Sequence, residues 1–198
     1  WITGEKSRAL VHHLRDGVDA ILVGRNTVTM DDPRLNARLP GGLRGKDPLR
    51  IVLDPRLTLP VTARVFDRQY GGPSIAVHGP DCDPGRVEAF RDQGVETWPL
   101  PLENNRVSLT GLLKRLGERN VMSLLIEGGG EINESALLTE KIVDKVYFFF
   151  APKVVGGRQA PTLVDGLGVE TMDQALDMEI EEIKRLGPDL LIVASPRY

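Results

Sequence analysis

Short apolar runs alternate with amphipathic stretches along most of this chain. Residues 19–23, 50–54, 74–78, 95–98 and 124–126 are rich in Val, Ile and Leu or closed by Gly, Pro or Asp, the pattern of strands buried on both faces. Between them, residues 5–15, 83–93 and 108–116 carry apolar positions at helical spacing. Thr3 is the expected N-cap of the first helix, with Glu5 near its positive end and Gly17 at its stop. Asp83 and Pro84 open the second, which Gly94 ends, and Ser108 or Thr110 opens the third. Asn26 or Thr27 is expected to cap a short helical turn after Gly24, and residues 31–35 read as a turn. Residues 56–70 have no clear period, and 41–45 and 152–168 read as loops. Residues 144–151 form a strongly apolar strand. Residues 179–186 and 190–194, joined by Gly187, Pro188 and Asp189, predict an antiparallel hairpin. The alternation of strands and helices predicts an α/β fold: a mainly parallel central sheet flanked by helices, with the hairpin at the C-terminal end. Neither a repeat nor a linker interrupts it, so a single domain over 1–198 is expected.

The stretch 123–133 organises the rest. Leu124, Leu125 and Ile126 suit a buried strand, Gly128, Gly129 and Gly130 follow, and a helical pattern continues through Ser135, Ala136, Leu137 and Leu138. Strand, glycine turn and helix in that order aim backbone N–H groups and a helix dipole at whatever lies above the strand. Two readings stay open: glycines that a tight turn needs for positive φ, or glycines that admit a phosphate. The spacing is not that of the usual dinucleotide fingerprint. Glu127 falls at the carboxyl end of the strand, where open α/β sheets place ligands.

A formal net charge of -3 and the lack of a Lys/Arg block argue against nucleic acid as a partner. Cys82 is the one cysteine, which excludes an internal disulfide or thiolate cluster and fits a cytoplasmic location. No apolar run reaches the length of a membrane span, and no signal peptide is expected. His12 and His13 are adjacent on a helix and diverge, and His78 stands alone, so no metal is expected. Arg15 suits either a helix C-terminus or a phosphate. Arg34 and Arg38 flank Leu35 and read as a surface loop or as a pair of planar forks gripping a phosphate. Asp31 and Asp32 form a turn or reach a ligand hydroxyl, and Trp1 is core or a ring against a cofactor.

Several segments in order carry a family resemblance. They are Trp1-Ile2-Thr3-Gly4, then Asp19-Ala20-Ile21-Leu22-Val23-Gly24 with Asn26-Thr27-Val28, then Asp31-Asp32-Pro33-Arg34-Leu35. Arg50-Ile51-Val52-Leu53-Asp54, Leu125-Ile126-Glu127-Gly128-Gly129-Gly130 and Ala151-Pro152-Lys153-Val154-Val155-Gly156-Gly157 follow. The set resembles the reductase family of riboflavin biosynthesis, which has a dihydrofolate-reductase-like fold. The resemblance implies NADPH-dependent reduction of the ribosyl group of a ribosylaminopyrimidine 5′-phosphate to ribityl by a cytoplasmic homodimer. Residues 160–166 look more like the stand-alone archaeal type, which acts on the 2,5-diamino pyrimidinone. The alternatives are the 5-amino-6-(5-phosphoribosylamino)uracil reductase of the bacterial type, a dihydrofolate reductase, and a non-catalytic nucleotide-binding module of the same fold.

Carried over by matching motif, Trp1, Thr27 and Asp31 are expected to contact NADPH, and Gly129, Gly130, Glu131, Ile132, Asn133, Glu134 and Ser135 to cradle its phosphates. Arg15, Leu35, Arg38 and Glu127 are expected to contact the pyrimidine ribose phosphate. Asp31 and Glu127 are the candidate proton donors. Pro55 stands where some relatives have serine. Family members also begin with a strand and a Ser/Thr-Leu-Asp-Gly segment upstream of the position of Trp1, and such a strand is expected to precede this sequence.

Overall fold

The architecture comes from a computed structural model, which describes all residues except 44, 158, 159 and 167. Those four fall in the two loops expected at 41–45 and 152–168 and lie outside the described residues. In chain order the elements are α1 (Glu5–Gly17), β1 (Ala20–Gly24), α2 (Arg25–Asp31), β2 (Leu49–Leu53), β3 (Ser74–His78), α3 (Pro84–Asp92) and β4 (Glu96–Pro99). Then come β5 (Leu102–Glu103), β6 (Arg106–Val107), α4 (Leu109–Glu118), β7 (Leu124–Ile126) and α5 (Gly130–Glu134), which runs into a wider π-type turn, Ser135–Thr139. β8 (Val146–Phe150), β9 (Asp177–Leu186) and β10 (Asp189–Arg197) finish the chain. It divides into two compact units, His12–Gly129 and Trp1–Val11 with Gly130–Tyr198.

The unit His12–Gly129 is built on a five-stranded sheet in the order β4-β3-β2-β1-β7, every pair parallel. Central strands of such a sheet are covered on both faces, which explains their unbroken apolar runs. Ala20, Ile21, Leu22 and Val23 of β1 and Ile51 and Val52 of β2 have no exposed surface. The Val, Leu and Ile side chains among them contribute about 1.5–3 kcal/mol each when buried. Phe66 meets Phe90 of α3 edge to face, ring centres 5.1 Å apart. The aperiodic segment 56–70 belongs to this core: Leu57, Leu59, Ala63, Val65 and Phe66 are buried there. It folds as successive turns rather than as a helix or strand, so no period marks its inward residues.

Helix starts in this unit follow two of the three expected caps. The Asp83 carboxylate accepts from the Gly85 N–H at 2.9 Å with Pro84 in the first turn, and the Ser108 hydroxyl accepts from the Gly111 N–H at 3.3 Å. Asn26 and Thr27, however, lie inside α2 and do not cap it. The helix begins at Arg25, directly after β1, with Gly24 in the capping position and no side-chain cap. The turn expected at 31–35 starts one residue late, since Asp31 is the last helical residue and Asp32 takes a left-handed φ of 38°.

In the unit Trp1–Val11 with Gly130–Tyr198, β10 is the middle strand of an antiparallel sheet in the order β8-β10-β9. Gly187 takes φ 68° in the two-residue turn between β9 and β10, the conformation a tight hairpin requires. Thr3 does not cap α1. Gly4 immediately precedes the helix, and the carboxylate of Asp189, from the start of β10, accepts from the Gly4 N–H at 2.7 Å and the Ser7 hydroxyl at 2.5 Å. A side chain remote in sequence thus anchors the start of the helix where a local Thr cap was expected.

Candidate functional site

Within His12–Gly129, β7 ends at Ile126 and the next N–H, that of Glu127, still bonds the Leu22 carbonyl of β1 at 2.9 Å. This fixes Glu127 at the carboxyl end of the parallel sheet. Both of its carboxylate oxygens are taken by one guanidinium: Arg15 donates from Nε to Oε1 at 2.8 Å and from Nη2 to Oε2 at 2.6 Å. The side chains are 13% and 25% exposed, so little water competes for the pair. Arg15 also donates from Nη1 to the Asn36 carbonyl at 3.3 Å.

That carbonyl belongs to the segment carrying Leu35 and Arg38. Leu35 is buried with a φ of 54°, a conformation that costs an ordinary residue free energy and turns the chain sharply. His12 contacts the same segment through Asn36, the Arg38 N–H and the Arg38 guanidinium. Burial, then the neighbouring Arg15 and Arg34, push the Arg38 guanidinium below its ordinary pKa. Crowded guanidiniums repel one another, and a bound dianion relieves that repulsion. Arg34 lies over the Tyr70 ring at 4.3 Å. The structure therefore brings together Arg15, Leu35, Arg38 and Glu127, the four residues expected to contact substrate.

Thr27 and Asp31 stand one helical turn apart on α2, and an ideal Cβ built on Gly129 would find only the Thr27 Oγ1, at 3.9 Å. The space beside Gly129 is open. Gly129 and Gly130 do not serve a left-handed turn, because neither takes a positive φ. Gly130, in the other unit, is needed for a different reason. A Cβ there would fall 2.7 Å from Asp165 Cβ and 3.0 Å from Asp165 N, whose N–H donates to the Gly130 carbonyl at 3.1 Å. Asn133 donates to the Leu163 carbonyl at 2.8 Å, and Glu134 accepts from Thr139 at 2.9 Å. Glu131 is exposed, and Ile132 and Ser135 are half-buried. Trp1 is 91% exposed, with the Arg8 guanidinium 5.0 Å from its ring centre.

Three features were not foreseen. His12 is a contact of the arginine loop, signalled only by standing three residues before Arg15 on one helical face. Arg50, an arginine inside an apolar strand, is fully buried and donates to the carbonyls of Arg34, Arg64, Asp67 and Gly72. Burial lowers its pKa to about 10. A cavity of about 390 Å³ opens beyond the ends of β2 and β3, lined by Pro55, Arg56, Gly79, Asp81, Cys82 and Asp83 among others.

Guanidiniums gathered past the ends of parallel strands, beside an open glycine, make an α/β domain suited to anionic ligands. The chain matches the RibD C-terminal domain family over residues 1–192 and belongs to that family. It is 39% identical to riboflavin biosynthesis protein RibD of Actinobacillus pleuropneumoniae over 99% of its own length and 52% of that protein. It is 37% identical to the 2,5-diamino-6-ribosylamino-4(3H)-pyrimidinone 5′-phosphate reductase of Methanothermobacter thermautotrophicus, over 96% of this chain and 86% of the other. Among solved structures, RibD of Acinetobacter baumannii superposes with a TM-score of 0.81 at 25% identity, covering 100% of this chain and 52% of that one. A deaminase/5-amino-6-(5-phosphoribosylamino)uracil reductase from Thermotoga maritima does so at 0.75 and 26%, covering 100% and 50%. The chain thus spans about half the length of the RibD relatives it matches. Among the described residues, no helix is long and apolar enough to cross a membrane.

Proposed function

We propose that this chain reduces the ribosyl group of a ribosylaminopyrimidine 5′-phosphate to ribityl in riboflavin biosynthesis, using NADPH, in the cytoplasm and as a homodimer. The observation that carries the reading is the Arg15–Glu127 pair set beside Arg38 and Arg34, which suits a phosphorylated ligand. Relatives named for this reductase match nearly the whole chain.

Arg38 and Arg15 bind the 5′-phosphate, with Leu35 bounding the sugar. Glu127, held by Arg15, accepts from a sugar hydroxyl. Thr27, Asp31 and Gly129 contact the cofactor, with Trp1 and the α5 residues Gly130, Glu131, Ile132, Asn133 and Glu134, followed by Ser135, as the further contacts carried over from the family. The open face of Gly129 beside Thr27 fits such a ligand, because a Cβ would fill it. When bound, the cofactor supplies hydride to C1′ of the opened sugar. The chain's own task is to position that carbon, exclude water and supply a proton. Both Glu127 oxygens already accept from Arg15, and Asp31 at the end of α2 is the other candidate proton donor.

The homodimer reading draws support from Phe150, Ile180, Ile183 and Leu190, which leave apolar surface exposed on the β8-β10-β9 sheet. The substrate proposed is 2,5-diamino-6-ribosylamino-4(3H)-pyrimidinone 5′-phosphate. The Thermotoga structure, named for the uracil reductase, favours the deaminated compound as a second reading. NADPH oxidation measured with each pyrimidine decides. Faster turnover of the diamino compound supports the first reading, faster turnover of the deaminated one the second, and oxidation with neither overturns both.

A further inference from the structure

We propose that His12 is a positioning residue whose neutral imidazole fixes the 36–38 segment against α1 and holds the Arg38 guanidinium in place for the substrate's phosphate. The proposal rests on Arg38 being a phosphate ligand, as inferred above.

Three contacts converge on this ring. The Arg38 N–H donates to Nδ1 at 3.2 Å, Nδ1 also lies 3.2 Å from the Asn36 carbonyl, and Nε2 lies 3.4 Å from Arg38 Nη2. Both Arg38 groups are donors and a neutral ring has one bare nitrogen, so one tautomer accepts from the Arg38 N–H through Nδ1 and the other from the guanidinium through Nε2. In either tautomer the neutral ring ties α1 to Arg38 as an acceptor. Arg15 reaches the same Asn36 carbonyl from one turn further along α1, so the segment hangs from two residues of one helical face.

Protonation breaks this arrangement. An imidazolium has a hydrogen on each nitrogen, and the one on Nε2 would point at the N–H groups of Arg38. The groups facing the ring favour the neutral form: burial first, then the charges of Arg15 on its own helix and Arg38 on the loop, lower the His12 pKa, against the Asn36 carbonyl and Glu127 at the end of β7. At neutral pH His12 is accordingly an acceptor for Arg38. In acid it becomes a cation that pushes Arg38 away, and the grip on phosphate weakens. A histidine that itself bound phosphate would behave in the opposite sense and tighten in acid.

The test compares wild type, His12→Gln and His12→Ala by KM and kcat for the pyrimidine phosphate between about pH 5 and 8, the range in which imidazole titrates. The phosphate's own ionisation near pH ~6 affects all three proteins alike, so the ratio of wild type to His12→Gln isolates the ring. His12→Ala is expected to raise KM roughly tenfold at the top of the range, about the worth of one hydrogen bond to a charged group, and to lower kcat by less. Glutamine, whose amide oxygen accepts from Arg38 and cannot titrate, restores most of that loss. The ratio of wild-type KM to His12→Gln KM then rises as pH falls. An unchanged KM in His12→Ala, or a ratio that falls in acid, overturns the proposal. A second measurement needs no turnover: the His12 imidazole, followed by NMR beside His13 and His78, should titrate below the ordinary value and move up in Arg38→Ala. No movement in that variant overturns the link. Wild type inactive on both pyrimidines, with the NMR shift present, would instead remove the substrate assignment and leave the His12–Arg38 link standing.

Discussion

Arg15 and Glu127, 112 residues apart in sequence, are joined by two hydrogen bonds between one guanidinium and one carboxylate. Neither residue is placed by local sequence. Arg15 is held near the end of α1, and Glu127 is held by the β1–β7 ladder that ends just before it. A planar fork bonded on two edges has one orientation, so the pair fixes where the remaining donors of Arg15 point.

Glu127→Gln keeps the shape and removes one acceptor and the charge. An amide offers one oxygen to a fork that needs two, leaving a guanidinium N–H facing a donor. With both side chains mostly buried, the loss of a hydrogen bond to a charged group predicts about 1.5–3 kcal/mol lower stability by urea unfolding. It also predicts a fall in kcat/KM of about 10- to 100-fold. A variant as stable and active as wild type would show the pair to be incidental to both.

Gly129→Ala and Gly130→Ala separate two uses of glycine. Both positions have ordinary φ, so the added methyl is judged by space alone. At Gly130 it collides with Asp165 backbone and side chain; at Gly129 it meets nothing closer than Thr27 Oγ1 at 3.9 Å. Gly130→Ala is expected to lower Tm by several degrees, as a clash costing about 1–3 kcal/mol would. Gly129→Ala is expected to leave Tm unchanged while raising the KM for NADPH. An unchanged KM in the stable Gly129 variant would take the cofactor away from that glycine.

The parallel sheet was legible because its central strands are buried on both faces and show as apolar runs between breakers; β7, read as buried from Leu124 to Ile126, lies at the sheet edge and is half-buried. Ser108 and Asp83 were legible as caps because each works on its own helix. Asp189 was not, since its partners Gly4 and Ser7 lie at the far end of the chain and nothing local marks it. The segment 56–70 was opaque because turns have no period by which inward residues such as Leu57 and Phe66 could be read. Arg15 and Glu127 were expected at the site from the family resemblance, but their pairing depends on tertiary contact. His12 was weighed only as a metal ligand, and its role as acceptor for a loop arginine depends on where residues 36–38 run.

Asp189 predicts a pH dependence with a definite sign. The Ser7 hydroxyl, then the Gly4 N–H, hold its carboxyl below the ordinary aspartate range. A folded pKa below the unfolded one means stability that is fully present above the unfolded value, near ~3.9, and lost as pH falls through the folded value. Asp189→Asn should therefore lower Tm at pH 7, and the gap to wild type should close as both are taken into acid. A gap that is constant from neutral pH to well below the aspartate range would assign the loss to packing and not to the carboxylate.

Arg56 predicts cofactor choice. It lines the cavity past the ends of β2 and β3, the side of a parallel sheet on which nucleotides bind. Pro55 and Gly79 hold the two strand ends together, the Gly79 N–H donating to the Pro55 carbonyl at 2.9 Å. Asp81 and Asp83 share the cavity wall, so an anion entering it meets two carboxylates and needs a compensating cation. Arg56 is the cation among the described lining residues. A ribose 2′-phosphate is the group that distinguishes NADPH from NADH, and a bidentate arginine is the side chain suited to it. Arg56→Ala should raise the KM for NADPH by about tenfold or more and leave that for NADH within about twofold, a difference of the size one charge-assisted contact supplies. Equal losses with both cofactors would place Arg56 against a part they share. No loss with either would move the adenosine end out of this cavity, and the 2′-phosphate would need another cation.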